Sequence, residues 1–224
     1  MDLKIIVPTY NKGDNVKILA DRITQVMAKG YHSYEIIFID DSNDHTPLEI
    51  EKLIRKHSYF RLLHRDKERG LGTAVVEGFK MSEGKYLIVM DADLQHPPEL
   101  IPKMMEALNR KVELVIPSRF IAGGSDGDLN WQRKIVSWTA RTLARVLLQK
   151  TRPISDCTGG FFGLHRDVVG GVSLNPIGWK ILLEIIVKGF YNSVEEIPYI
   201  FHARQANLSN RIKKLELLEN VCHE

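Results

Sequence analysis

This 224-residue sequence predicts an α/β fold built on a mostly parallel, doubly wound sheet with helices on both faces. Three observations carry the prediction. Short apolar runs alternate with longer stretches of helical periodicity through residues 3–117, the order that joins parallel strands by helical crossovers. The strand-like runs are almost continuously apolar, as strands covered on both faces are. Polar or acidic clusters follow three of these runs, at the strand ends where open α/β sheets bind ligands.

The runs 3–7, 34–39, 60–63, 85–90 and 113–117 read as strands, the second being rich in Ile and aromatic residues. Between them, 15–29, 46–57, 73–81 and 98–109 read as helices, with Asn15 capping the first and Gly30 ending it. Residues 121–130 are polar and glycine-rich, a loop. Residues 131–150 read as one amphipathic helix. Ile135, Trp138, Leu143, Val146 and Leu147 mark its apolar side, and Arg133, Arg141, Arg145 and Lys150 its basic side. Such a helix either lies on a membrane surface or packs on the sheet with its basic side in water. Residues 153–163 read as a loop ending in Phe161-Phe162, 175–188 as a helix with Pro176 near its start, and 210–222 as an amphipathic helix carrying Ile212, Leu215, Leu218 and Val221.

Composition narrows the function classes. A formal net charge of +3 is too small to argue for nucleic acid. No apolar run approaches the roughly 20 residues of a membrane span. The start Met1-Asp2-Leu3-Lys4 leads straight into a strand-like run with no signal-peptide pattern. Cys157 and Cys222 lie far apart and form neither a metal-ligand nor a disulfide pattern. A cytoplasmic protein with reduced thiols is expected.

The segment Asp91-Ala92-Asp93-Leu94-Gln95 is the most informative. Alternation along an extended strand would put Asp91 and Asp93 on one side. Two carboxylates ending a buried strand are costly unless a cation meets them, and hard oxygen donors suit Mg2+ or Mn2+ shared with a diphosphate. A helix cap before Pro97-Pro98-Glu99 accounts for one acid but not for two. Pro8-Thr9-Tyr10-Asn11 and Asp40-Asp41-Ser42-Asn43-Asp44 end two further strands on the same rim. The first strand is not followed by a dinucleotide-binding glycine fingerprint; Gly70-Leu71-Gly72 is a partial match in the wrong unit, and no Gly-Lys-Ser/Thr signature occurs. A nucleotide-diphosphate site with a carboxylate-held metal remains. His96, beside the carboxylates, could be a metal ligand but reads as a local turn residue and is left out of the site; Asp156 reads as a loop residue and secondary candidate for a sugar contact, and Trp131 and Trp138 as lipid-interface or core residues.

In order and spacing these motifs resemble glycosyltransferase family 2. The likeness continues through Pro117-Ser118-Arg119-Phe120, residues 131–137, Gly160-Phe161-Phe162 and Asn175-Pro176-Ile177-Gly178-Trp179-Lys180, up to about Ser209. Within the family it is nearest the dolichyl-phosphate (polyprenyl-phosphate) mannosyltransferases. The resemblance implies a GT-A (Rossmann-like) catalytic domain over 1–209, with a nucleotide-binding half at 1–118, an acceptor-binding half at 119–209, and a helical tail over 210–224. It implies a metal-dependent, inverting transfer of a sugar, mannose favoured, from GDP-mannose to a polyprenyl phosphate at the cytoplasmic face of a membrane. By the same resemblance, Pro8 and Tyr10 line the base and ribose, and Ile39 and Asp41 contact the base. Asp91, Asp93 and Gln95 hold Mg2+ or Mn2+, with Ala92 against the nucleotide. Arg119, Arg133 and Ser137 meet the acceptor phosphate. Lys180 and Arg204 approach the diphosphate or sugar, and Asp91, Asp93 and Arg119 carry the catalysis. A lipid phosphate, with a second pKa of about 6, is already ionised near neutrality and needs no strong base.

The sequence departs from the family pattern at Lys12, where an acid is usual, at Asn210, where a lysine is usual, and at Gly159, commonly serine. These departures keep two alternatives open. One is a UDP-sugar transferase acting on undecaprenyl phosphate or a non-lipid acceptor. The other is a nucleotide-sugar-binding module with little turnover.

Overall fold

The computed structural model of the chain describes residues 3–30, 33–67, 69–127, 131–176, 178 and 180–201, with 132–134 and 136 described by their backbone alone. Seven strands form one sheet: β1 Leu3–Thr9, β2 Tyr34–Asp40, β3 Phe60–His64, β4 Tyr86–Val89, β5 Leu114–Ser118, β6 Phe162–His165 and β7 Val194–Pro198. Their order is β3-β2-β1-β4-β6-β5-β7. β6 runs antiparallel to both neighbours, and every other pairing is parallel. The helices are α1 Gly13–Met27, α2 Thr46–Lys56, α3 Leu71–Met81, α4 Ile101–Asn109, α5 Trp131–Leu147 and α6 Ile181–Lys188.

Alternation along the inner strands builds two cores. Leu3, Ile5 and Val7 of β1, with Ile36 and Phe38 of β2, pack on one face against Leu19 and Ile23 of α1 and Met104 and Leu108 of α4. Ile6, Ile37, Ile39, Leu87 and Val89 pack on the other face against Val75 and Phe79 of α3 and Ile181 and Ile185 of α6. This two-sided coverage is why the strands read as continuous apolar runs, and each such side chain stabilises the fold by about 1.5–3 kcal/mol. The register aligns Thr9 with Asp40 and Asp40 with His64, so the ends of β1, β2 and β3 emerge together.

The second half corrects the sequence reading in several places. β6 arises from the end of the predicted 153–163 loop, and β7 was not predicted. β6 is a four-residue strand containing Gly163, and β7 is an edge strand carrying Glu195, Glu196 and Pro198; short or charged strands of this kind lack a strong apolar run. The predicted 175–188 helix begins only at Ile181, because Pro176 and the left-handed Gly178 (φ +77°) interrupt it. That segment instead closes on α3, where the Gly72 N–H donates to the Gly178 carbonyl at 3.2 Å. Asn15 is not the cap of α1: Lys12 occupies that position, and Asn15 Nδ2 donates to the Ala92 carbonyl at 3.2 Å. The predicted 98–109 helix opens as a 3-10 turn, Pro98–Leu100, since Pro102 has no N–H to return to the carbonyl four residues back. The predicted 131–150 helix stops at Leu147 and gives way to a 3-10 turn, Gln149–Thr151. The predicted 210–222 helix lies outside the described residues. Among the described residues no helix is long and apolar enough to cross a membrane.

Candidate active site

A cleft of about 970 Å3 opens along the rim where β1, β2, β4 and β5 end, at the upper end of typical ligand-site volumes. Pro8, Tyr10 and Asp41 line one end, Asp91, Ala92 and Asp93 the middle, and Arg119 the far side. The structure therefore brings together seven of the residues singled out from sequence.

The paired acids reach the cleft by a route other than strand pleating. β4 ends at Val89, and residues 91–96 form an irregular turn. Leu94 takes a left-handed φ of +63°, and Asp93 Oδ1 accepts the Gln95 N–H at 3.1 Å, a local Asx-type closure. His96 is buried against the Phe161 ring, centroids 5.3 Å apart, with Tyr199 edge-on at 6.3 Å. Burial pushes its pKa down to about 4, so the imidazole is neutral and its Nδ1 accepts the Asp91 N–H at 3.4 Å. One ligand atom each from Asp91, Asp93 and His96 lie within 4.8 Å of one another. His96 hydrogen-bonds locally as expected of a turn residue, but it also faces the acids, 3.8 Å from Asp91 Oδ2, so the sequence reading that leaves it out of the site is too narrow. Gln95 is buried and does not line the cleft. A side chain at Gly160 would put its Cβ 2.7 Å from Asp91 Oδ2, so any larger residue there would make the carboxylate or the loop shift. Two carboxylates and an imidazole facing one another fit a divalent ion such as Mg2+ or Mn2+.

At the end of the cleft lined by Pro8, Tyr10 and Asp41, two adjacent acids do different work. Asp40 is fully buried. Its Oδ1 accepts Thr9 Oγ1 at 2.7 Å and Ser42 Oγ at 2.6 Å, and its Oδ2 accepts His64 Nδ1 at 2.7 Å. It ties the ends of β1, β2 and β3 together. Asp41 turns into the cleft and receives a fork from Arg65, Nε at 2.7 Å and Nη2 at 2.6 Å, plus the Gly70 N–H at 3.0 Å. Arg65 carries no local motif and went unnoticed in sequence. Tyr10 is 50% exposed, with Arg69 6.0 Å from its ring centroid, offering a flat apolar wall. Ile39 does not line the cleft: its side chain is fully buried in the second core.

On the far side, Arg119 extends from the end of β5 and donates to both oxygens of Asp156, Nε at 2.8 Å and Nη2 at 3.0 Å. Burial opposes its charge, but the hydrogen bonds and charge of Asp156 outweigh it and raise the pKa above the usual range. Glu196 of β7 fixes the Asp156 loop by accepting the Ser155 and Asp156 N–H groups at 2.8 and 3.0 Å. Lys180 caps α6, half-buried and outside the cleft lining, and burial lowers its pKa. Ser137 is half-buried on α5 and also outside the lining. The side chain of Arg133 and all of Arg204 lie outside the described residues.

A mixed seven-stranded sheet with paired acids at the end of its central strand, and a cleft wall built from the ends of its first two strands, defines a GT-A type glycosyltransferase architecture. Residues 4–172 match Glycosyl transferase family 2, and the chain belongs to that family. It is 42% identical over 224 residues to a dolichol-phosphate mannosyltransferase of Pyrococcus furiosus, an alignment covering all of this chain and 62% of that protein. It is 36% identical over 211 residues to that of Mycosarcoma maydis, covering 90% of this chain and 70% of the relative. It is 35% identical over 229 residues to that of Saccharomyces cerevisiae, covering 95% and 83%. The chain thus spans just under two thirds of the archaeal relative's length. Among solved structures, glucosyl-3-phosphoglycerate synthase from Mycobacterium tuberculosis in complex with Mn2+, UDP and glucosyl-3-phosphoglycerate superposes with a TM-score of 0.70 at 16% identity, over 94% of this chain and 74% of that one. The same enzyme with Mg2+ and UDP gives 0.68 at 15% identity, over 90% and 70%. These neighbours support the fold.

Proposed function

We propose that this chain is a polyprenyl-phosphate mannosyltransferase, moving mannose from GDP-mannose to a dolichyl-type phosphate at the cytoplasmic face of a membrane. The observation that carries the reading is a single cleft joining the Asp91–Asp93 turn to an arginine held rigid by a buried acid. The names of relatives at 35–42% identity supply the substrate class.

Asp91 and Asp93, with His96, would hold Mg2+ or Mn2+. When bound, such an ion stabilises the negative charge that develops on the leaving diphosphate. Pro8, Tyr10 and Asp41 would seat the nucleoside. Arg119, fixed by Asp156, would orient the acceptor phosphate. An oxygen of that phosphate then forms a bond to the anomeric carbon as the bond to the β-phosphate oxygen breaks. The pair on the breaking bond leaves with GDP, and the configuration inverts. The nucleophile is already ionised, so no general base is required.

A surface helix supports the membrane reading. On α5, Trp131, Ile135, Trp138, Leu143, Val146 and Leu147 are all more than half exposed, a large apolar surface for a soluble helix and one suited to a lipid interface. The deciding experiment is transfer of radiolabelled mannose from GDP-mannose to dolichyl phosphate with Mn2+. Transfer that persists in D91N would overturn the metal assignment, and transfer only from UDP-sugars would overturn the donor.

A further inference from the structure

We propose that Arg141, which the family motifs do not single out, is a direct ligand of the acceptor phosphate and carries the positive charge that Arg119 cannot. The inference rests on the acceptor reading above. Arg119 is the evident anion ligand on this side of the cleft, yet its charge is already matched. Asp156 takes two of its N–H donors, and Asp126 Oδ1 lies 3.8 Å from Nη1. A phosphomonoester near neutrality carries close to two negative charges. Arg119 alone would meet it with almost none to spare.

Arg141 differs in each respect. It lies one helical turn beyond Ser137 on α5 and two beyond Arg133, the spacing that keeps residues on one face. Its guanidinium sits 3.6 Å from the centroid of the Phe120 ring. Phe120 follows Arg119 directly, and Arg119 lies 4.8 Å from the same ring. Ring stacking fixes the plane of a guanidinium through its face and uses none of its N–H donors. Arg141 Nη1 is shut off from solvent, yet it meets no hydrogen-bond acceptor among the described residues. A buried charged donor left without an acceptor is costly, and an incoming anion would supply one. Arg141 itself does not line the cleft; it stands behind Arg119, which does, across the shared Phe120 ring. Burial and the charge of Asp156 raise the pKa of Cys157 while Arg141 and Lys180 oppose them, so both cations lie within electrostatic range of the residue next to Asp156. Phosphate presents the oxygens that a planar guanidinium fork matches.

The test is calorimetric titration of the protein with geranyl phosphate, a soluble two-isoprene phosphomonoester, and in parallel with inorganic phosphate. GDP binding with Mg2+ reports on folding. The expected result for R141Q is geranyl phosphate affinity reduced about tenfold or more, as loss of charge-assisted hydrogen bonds implies, with GDP affinity unchanged. R141K should fall between. Wild-type affinity for geranyl phosphate in R141Q overturns the proposal and leaves the acceptor reading standing. No binding of geranyl phosphate by the wild-type protein overturns both. An R141Q effect confined to inorganic phosphate would make this a free-anion site and overturn the acceptor role. If R141Q loses GDP binding as well, R141K decides: GDP retained with geranyl phosphate weakened supports the proposal, and both retained overturns it.

Discussion

Arg119 and Asp156, 37 residues apart, meet in a two-pronged ion pair at 2.8 and 3.0 Å inside the cleft wall. Asp156 is fully buried and Arg119 nearly so. An acid in that setting fixes the direction of the arginine and removes most of its net charge at once.

Truncating the acid therefore has two readable effects. D156A leaves a buried guanidinium without its counter-charge, and a loss of about 3–5 kcal/mol is expected, seen as a lower urea midpoint. D156N retains one acceptor and should lose less stability. Its KM for lipid phosphate should rise while GDP affinity stays unchanged. Equal stability of D156A and wild type would show that the pair is dispensable.

Gly160 faces Asp91 Oδ2, 2.7 Å from where a Cβ would sit. G160A should push the loop or the acid aside and weaken Mn2+ binding, read by the free-ion EPR signal, with little change in circular dichroism. Unaltered Mn2+ affinity would mean that the loop yields without disturbing the acids.

D91N and D93N should each reduce mannosyl transfer by about 100-fold or more, the scale of losing transition-state charge stabilisation. Single-turnover assays with Mn2+ would check this. Loss in one variant alone would identify which carboxylate matters.

Arg65 forks onto Asp41 at 2.7 and 2.6 Å. R65Q frees Asp41 to rotate, and nucleotide binding should weaken. Thermal shifts with GDP and UDP measure this, since the stabilisation grows with ligand concentration over Kd. Greater stabilisation of the wild type by GDP than by UDP is expected, with the difference reduced in R65Q.

Trp138 and Leu147 are 58% and 67% exposed. W138S combined with L147S should leave stability within about 0.5 kcal/mol, as surface changes do, yet reduce co-sedimentation with anionic vesicles. Undiminished sedimentation would remove α5 from any membrane contact.

The first five strands and the four helices between them were legible because two-sided burial writes continuous apolar runs and one-sided burial writes helical periodicity. Asp91 and Asp93 were legible as a pair, although they sit in an irregular turn after β4, with Asp93 held by an Asx closure, rather than on a pleated strand. Arg65, His96 and Asp156 were not legible as partners. Each acts through a contact set by the fold: Arg65 reaches Asp41 from the end of a neighbouring strand, and Asp156 reaches Arg119 across the sheet edge. β7 stayed hidden because an exposed edge tolerates Glu195 and Glu196.

β6 runs against its neighbours, pairing Phe162 with Val89. Reversal means that the chain arrives at the cleft just before entering this strand, whereas every parallel strand reaches the cleft only on leaving. Both the roof over Asp91 and the counter-ion of Arg119 therefore hang from the first residue of one short strand. A deletion of a single residue between positions 156 and 162 would displace the loop against Asp91 and the counter-ion of Arg119 in the same stroke.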